Sequence, residues 1–317
     1  MTGSGVPAVT VIIPAYNAAP YIGETIEHVL GQTLPDIEVI VVDDGSSDQT
    51  ADVVALYPSV RYIRKVNGGV SSARNVGARQ ARARWISFVD ADDLWHPQML
   101  ASMLELMLQH PTAAMGLSGS TSLQDRRDLS SPIQRIDGAL PFRFLSDFRE
   151  VFRFPYLGMS SVIVERDRFL ALGGFNENLR RAEDVDLFLR LLYNSPGYVR
   201  LMYPAVHIRT VDGSLSSDSI AGYVQLLDVY QRFLAEHESF AQESPRLVRQ
   251  TLSDLHLRLG RALFRADRRS EAKQQALASM RKDFTGAALA LLLRVHVPPS
   301  WLAVARWLTT STERDVK

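Results

Sequence analysis

Three carboxylates fall within four residues at Asp90-Ala91-Asp92-Asp93, at the end of the apolar run Trp85-Ile86-Ser87-Phe88-Val89. Like charges crowded at the end of a buried strand are costly unless a cation meets them. Hard divalent cations such as Mn²⁺ or Mg²⁺ take oxygen ligands and commonly share one or two carboxylates with substrate phosphates. In extended chain, residues i and i+2 face the same way, which predicts Asp90 and Asp92 pointing into one cleft. A calcium loop of the EF-hand type starting at Asp90 is excluded, because Trp95 and Ala101 stand where it needs Gly and Glu. The plainer alternative is a capped turn before a helix starting near His96.

Other segments admit a chemical and a plain reading. Asp43-Asp44-Gly45-Ser46-Ser47-Asp48 follows a second apolar run. Its carboxylates could accept from the imide N–H of a uracil or thymine ring, or could build a turn and helix cap; both can hold together. Gly68-Gly69-Val70-Ser71-Ser72-Ala73-Arg74-Asn75 opens a helix. Free N–H groups there favour an anion, and Arg74 could face a nucleotide; taken locally, a glycine turn with a solvated arginine serves as well. Glu183-Asp184 begins another helix, where the dipole stabilises an anion such as a general base for a hydroxyl, or simply complements the helix end. His28, His110 and His256 fall in helical surface patterns. No nucleophile elbow, Walker loop or His/Cys metal cluster is present.

These residues sit at the ends of alternating elements. Apolar β-branched runs predict strands at Val9–Pro14, Ile37–Asp43, Val60–Val66 and Trp85–Asp90. Helical spacing falls between them at Tyr21–Gln32, Asp48–Leu56, Ser71–Ala83 and His96–Gln109. Such alternation implies a parallel α/β sheet, with ligands beyond the carboxyl ends of the strands. Gly119–Pro141 reads as a loop, and structure resumes at Ser160–Glu165 and in a helix at Glu183–Leu192. From about Ile220 the chain reads as wholly helical, which places a boundary there and gives domains 1–219 and 220–317.

Composition narrows the function. Lys plus Arg and Asp plus Glu both number 35, and the net charge is zero, so bulk attraction to nucleic acid is not expected. With no cysteine, disulfides and thiolate metal sites are excluded. The first residues lack a basic-then-apolar leader, and no apolar run reaches the roughly 18 residues of a membrane span. A cytoplasmic location fits. Near the C-terminus, Ala287–Leu293, Pro298-Pro299 and Trp301–Leu308 suit peripheral contact with the inner face of a membrane. The plainer reading of the same segment is packing on the catalytic domain or on a second copy.

Taken in order, the motifs resemble the family 2 inverting glycosyltransferases of GT-A type. They are Ile13-Pro14-Ala15-Tyr16-Asn17, Val41-Val42-Asp43-Asp44-Gly45-Ser46-Ser47-Asp48, Gly69 to Gly77, Phe88-Val89-Asp90-Ala91-Asp92-Asp93, Gly173-Gly174-Phe175-Asn176-Glu177 and Glu183 to Arg190. The resemblance covers about Val9 to Ser216. It implies a mixed, mainly parallel Rossmann-like sheet flanked by helices, with the helical region appended. It implies a nucleotide-diphosphate sugar as donor, a saccharide or lipid-linked saccharide as acceptor, and Mn²⁺ or Mg²⁺ as cofactor. Pro14, Tyr16, Asn17, Asp44, Arg74, Asp90 and Ala91 would then bind the nucleotide sugar, with Asp44 on the base, and Asp92 would hold the metal. Gly173, Gly174, Phe175 and Glu183 would shape the acceptor side, and Asp184 would be the base. The family's Tyr-Arg-x-His-x-x-Ser-x-Ser segment reads here as Ile208 to Ser216, with Val211 at the His position, so no metal ligand is carried onto it. A nucleotide-sugar binding module without turnover and a nucleotidyltransferase are the rival classes. The first would want Asp92 or Asp184 missing, and the second a basic Gly-rich loop where Ala15 to Ala19 stands.

Overall fold

A computed structural model describes residues 5–122, 133–135, 138–154, 157–210 and 219–296. The chain divides into two compact units, 1–215 and 216–317. The first is built on a nine-stranded mixed sheet in the order β3-β2-β1-β4-β8-β6-β9-β5, with β7 on the side of β9. The strands are β1 Val9–Ala15, β2 Ile37–Asp43, β3 Arg61–Arg64, β4 Trp85–Phe88, β5 Leu94–Trp95, β6 Met115–Ser122, β7 Phe142–Leu145, β8 Val162–Glu165 and β9 Tyr198–Ile208. The β3-β2-β1-β4 half is parallel throughout. Antiparallel pairing begins where β8 joins β4; beyond it, β6 and β9 run parallel while β5 and β7 pair antiparallel with β9.

β1 and β2 are buried on both faces, which is why they read as unbroken apolar runs. Val9, Val11 and Ile13 pack with helices α1 (Ile22–Leu30) and α4 (Met99–Gln109) on one face. Ile12, Ile86 and Phe88 pack with α6 (Arg166–Ala171) and α7 (Glu183–Leu192) on the other. Helix α3 (Val70–Gln80) covers Ile40 and Val42 through Ala73, and a Cβ at Gly77 would overlap the Ile12 side chain. That contact lets α3 lie against β1 and brings its first turn over the strand ends. α2 (Thr50–Val54) and α5 (Phe148–Arg153) complete the unit.

The second unit is helical: α8 Ser219–Glu236, α9 Glu238–Glu243, α10 Pro245–Arg265, α11 Arg269–Lys282 and α12 Gly286–Val295. α10 packs on α8, α11 and α12, and Gly260 admits Leu291 at close range. Leu255, Leu259 and Leu263 on α10 are buried, a stripe at helical spacing. The expected loop at Gly119–Pro141 is partly strand, because β6 runs to Ser122. The rest of that segment is only partly described, and the tail beyond residue 296 lies outside the described residues. No helix among them is long and apolar enough to cross a membrane.

Candidate active site

The loops at the carboxyl ends of β1, β2 and β3 are bound to one another by side chains. Asn17, at φ 49°, takes a left-handed conformation that Asn tolerates. Its N–H donates to Ser46 Oγ at 2.9 Å and its Oδ1 accepts from the Ser47 N–H at 2.8 Å. The N–H groups of Ala18 and Ala19 donate to Thr50 Oγ1 and Asp48 Oδ2. The Asn17 amide is therefore committed to bracing the loop. Tyr16 beside it is 56% exposed and offers its ring to the opening. Pro14 lies two residues beyond the last β1–β4 pair, Ile12 with Phe88, so its missing N–H costs no ladder bond.

Asp44 is buried and fully engaged. Lys65 Nζ donates to Oδ1 at 2.6 Å, Gly68 N–H to Oδ1 at 2.9 Å and Gly69 N–H to Oδ2 at 2.7 Å. The anion that meets the free N–H groups at the start of α3 is thus the chain's own carboxylate. Neighbouring Asp43 accepts from the Ser46 N–H at 2.7 Å and from the Tyr62 hydroxyl. Burial alone would raise its pKa, but these donors together hold it below the usual carboxylate value.

The Asp90–Asp93 segment is a hydrogen-bonded turn, with the Asp93 N–H donating to Asp90 O at 3.1 Å. This corrects the expectation of extended chain there: β4 ends at Phe88, so the two-residue alternation does not place Asp90 and Asp92. Neighbouring elements fix the turn instead. Thr25 Oγ1 donates to Ala91 O at 2.9 Å, and the Asp90 N–H donates to Ser160 Oγ at 3.0 Å. Arg209, at the end of β9, donates from Nε to Asp92 O and from its backbone N–H to Asp93 Oδ1, both at 3.2 Å. Its guanidinium also reaches Glu24 and lies over the Tyr21 ring. Arg209 was not singled out from sequence; its place just before residue 211 in the Ile208–Ser216 motif was the available signal.

Electrostatics single out this turn. Burial, then the Asp90 charge, raises the Asp92 pKa, and the same two causes push Asp93 to about 7. Among the described residues the Asp92 anion is favoured by its own N–H and, at longer range, by the Arg209 charge. A half-buried carboxylate raised by its neighbours suits a hard divalent cation. No group of three or more metal-ligating side chains gathers among the described residues, so a cation held by Asp92 would draw further oxygens from substrate and water.

Arg74 joins this turn to the start of α7. Its guanidinium donates to Asp90 Oδ1 at 2.6 Å and to Glu183 Oε1 at 3.0 Å, and its side chain is 3% exposed. This corrects the plain reading of a solvated arginine: α7 and the Gly173-Gly174-Phe175 turn cover the side chain, and the Phe175 ring lies 5.3 Å beneath it. Burial alone would lower the Arg74 pKa, but Asp90 and Glu183 hold it raised.

Asp184 accepts from the Val185 N–H at 2.7 Å. Burial, then the charge of Glu183, raises its pKa to about 7, against the opposing pull of Arg74. Ala182 before the helix is left-handed at φ 57°, a conformation that costs on the order of 1–3 kcal/mol for a non-glycine residue. On the acceptor side, Gly173 is exposed, but Gly174 and Phe175 are buried. Phe175 packs edge-on against Phe88 and Phe169, each at 5.5 Å. It is a floor under Arg74 and presents no open face to an acceptor. Asn75 clamps this turn: Nδ2 donates to Phe175 O and Glu177 Oε1, and Oδ1 accepts from the Phe175 N–H, all at 2.9 Å.

The chain resembles known proteins in sequence and in fold. The family model described as Glycosyl transferase family 2 matches residues 10–156. A glycosyltransferase of Rickettsia felis is 31% identical over 60% of this chain and 32% of its own length. The Bacillus subtilis glycosyltransferase TuaG is 27% identical over 78% of this chain and 98% of its own. The hyaluronan synthase of Pasteurella multocida is 31% identical over 59% of this chain, which spans 19% of that protein. Among solved structures, S. aureus TarS in complex with UDP-GlcNAc superimposes with a TM-score of 0.60 at 20% identity, covering 90% of each chain. The mannosyltransferase PcManGT of Pyrobaculum calidifontis, in complex with GDP-Man and Mn²⁺, gives 0.57 at 20% identity over 96% of this chain and 84% of its own. With the motifs, the sheet order and these relatives in agreement, residues 10–156 are a glycosyl transferase family 2 segment, and the chain carries a GT-A fold.

Proposed function

We propose that the chain is an inverting glycosyltransferase that moves a sugar from a UDP-sugar to an acceptor hydroxyl on a saccharide or lipid-linked saccharide, in polysaccharide or glycoconjugate synthesis. The observation that supports this reading is the Arg74 bridge, which pairs Asp90 of the carboxylate turn with Glu183, the neighbour of Asp184. A polysaccharide product is supported by the similarity to hyaluronan and chondroitin synthases, and a UDP donor by the fold shared with a protein in complex with UDP-GlcNAc.

In this reading Tyr16 and the β1 and β2 loops cradle the base, with Asp44 facing its imide once the donor displaces a present partner. Asp90 meets the ribose, and Asp92 holds Mn²⁺ or Mg²⁺, which when bound supplies charge neutralisation for the diphosphate. Asp184 accepts the acceptor hydroxyl proton as the oxygen bonds to the anomeric carbon. The bond to the diphosphate breaks on the opposite face, its electron pair leaving with the phosphate oxygen. One displacement inverts the configuration and needs no nucleophile from the protein.

The test is a thermal-shift panel of UDP-, GDP- and dTDP-sugars with and without Mn²⁺. A donor at about 100 times its dissociation constant adds roughly 2.7 kcal/mol of stability. UDP-sugars with Mn²⁺ are expected to give the largest shift, and Asp92→Ala to abolish the metal-dependent part while leaving the unliganded melting curve cooperative. If no nucleotide sugar moves the transition, the reading fails. An unchanged Mn²⁺ increment in Asp92→Ala removes Asp92 from the metal role.

A further inference from the structure

We infer that Arg74 is a positioning residue that ties the donor-side Asp90 to the acceptor-side pair Glu183 and Asp184, so that the base is set correctly only while this bridge is intact. The inference rests on the transferase reading. An arginine kept for a nucleotide would present its guanidinium to the opening. Arg74 instead sits beneath the site, 3% exposed, over the Phe175 ring. Its fork spans two carboxylates from elements 16 and 109 residues away in sequence, a geometry that Lys, a single point charge, cannot reproduce. Its Nε is buried with no hydrogen-bond partner. The two terminal nitrogens alone therefore fix the plane of the group.

The consequence runs through α7. Glu183 is the first residue of that helix and its side chain is 14% exposed. Asp184 follows it directly, after the left-handed Ala182. Through Arg74, Glu183 on α7's first turn is joined to Asp90, just beyond the end of β4. Release of Glu183 would let this strained turn relax and carry Asp184 with it. The Asp90 side chain is 41% exposed, so a bound donor can reach it while Arg74 stays covered. Arg74 thereby relates the place of the donor to the place of the base without touching either reacting group.

The test uses the full chain and the variants Arg74→Lys, Arg74→Met and Glu183→Gln. UDP binding with Mn²⁺ is measured by titration calorimetry, transfer by kcat and the acceptor KM, and stability by urea unfolding without ligand. Arg74→Met should leave UDP affinity within about threefold while kcat falls on the order of 10²-fold, the scale of a 1 Å misplacement. Arg74→Lys should recover stability but not kcat. In the unfolding cycle, Arg74→Met and Glu183→Gln should be non-additive. If Arg74→Met loses UDP affinity and keeps kcat at saturating donor, Arg74 is a nucleotide contact and the inference is overturned. Additive unfolding effects in an active protein overturn it too. A wild type that binds no nucleotide sugar sinks the transferase reading, and the unfolding cycle still reports whether the bridge exists.

Discussion

Asp184 is a carboxylate whose surroundings argue against its charge. Burial removes water, Glu183 stands beside it, and the Val185 N–H, Arg74 and its own N–H favour the anion less strongly. A base poised near 7 is well matched to taking a hydroxyl proton near neutral pH. Transfer should therefore rise with pH through about 7 and level off above, since the deprotonated form is the active one. Asp184→Asn keeps an oxygen for the Val185 N–H but cannot accept the proton. Its turnover should drop about 10²- to 10⁴-fold with UDP affinity nearly unchanged, and the pH dependence should flatten. Near wild-type transfer by this variant would take Asp184 out of the base role. The residue types at this position were legible in the sequence. The raised pKa was not, because it depends on burial that only the fold supplies.

At the scale of elements, the Gly173-Gly174-Phe175 turn shows how a local conformation is held from afar. Gly174 has φ +69°, and a Cβ there would overlap Asn75 Oδ1. Arg190 on α7 donates to Leu172 O and Gly174 O. Gly174→Ala should cost on the order of 1–3 kcal/mol, read as a lower urea midpoint at constant m. A loss under about 0.5 kcal/mol would mean that the turn adapts and that the clamp matters little. The sequence showed β1, β2 and β4 because strands buried on both faces cannot alternate in polarity. It concealed β9, which mixes buried and exposed residues, contains Pro204, and shifts register against β6 near Gly119. The helices α5 and α6, each of 6 residues, are too short for periodicity to declare them. Asp90–Asp93 was legible as a carboxylate cluster, with a turn as the plainer alternative, but the turn's place was not, because Thr25, Ser160 and Arg209 fix it from other elements.

Across the whole molecule, two sets of carboxylates pull stability in opposite directions with pH. Glu38, Asp43, Asp48, Glu105 and Glu177 have pKa values below their usual ones, so they stabilise the fold above the unfolded value, and that contribution fades as acid protonates them. Asp92, Asp93 and Asp184 are raised. The folded chain holds their protons more tightly than the unfolded chain does, so stability declines as pH rises from about 4 through about 7. The metal-free protein should be most stable in mildly acidic solution. Asp184→Asn should raise the melting temperature at pH 8 more than at pH 5, measured in EDTA; an equal shift at both would show that the charge carries no such penalty. A further consequence concerns the order in which the polypeptide is made. The four parallel strands and α3 all lie between Val9 and Phe88, so this half can assemble before the rest of the unit is made. Glu183, which neutralises the buried Arg74, emerges 109 residues after it. Until then the nascent chain holds an exposed β4 edge and a guanidinium lacking one of its carboxylates. This half closes only when β8 and α7 arrive, and a ribosome stalled before residue 183 would display a sheet open to mispairing or to a chaperone.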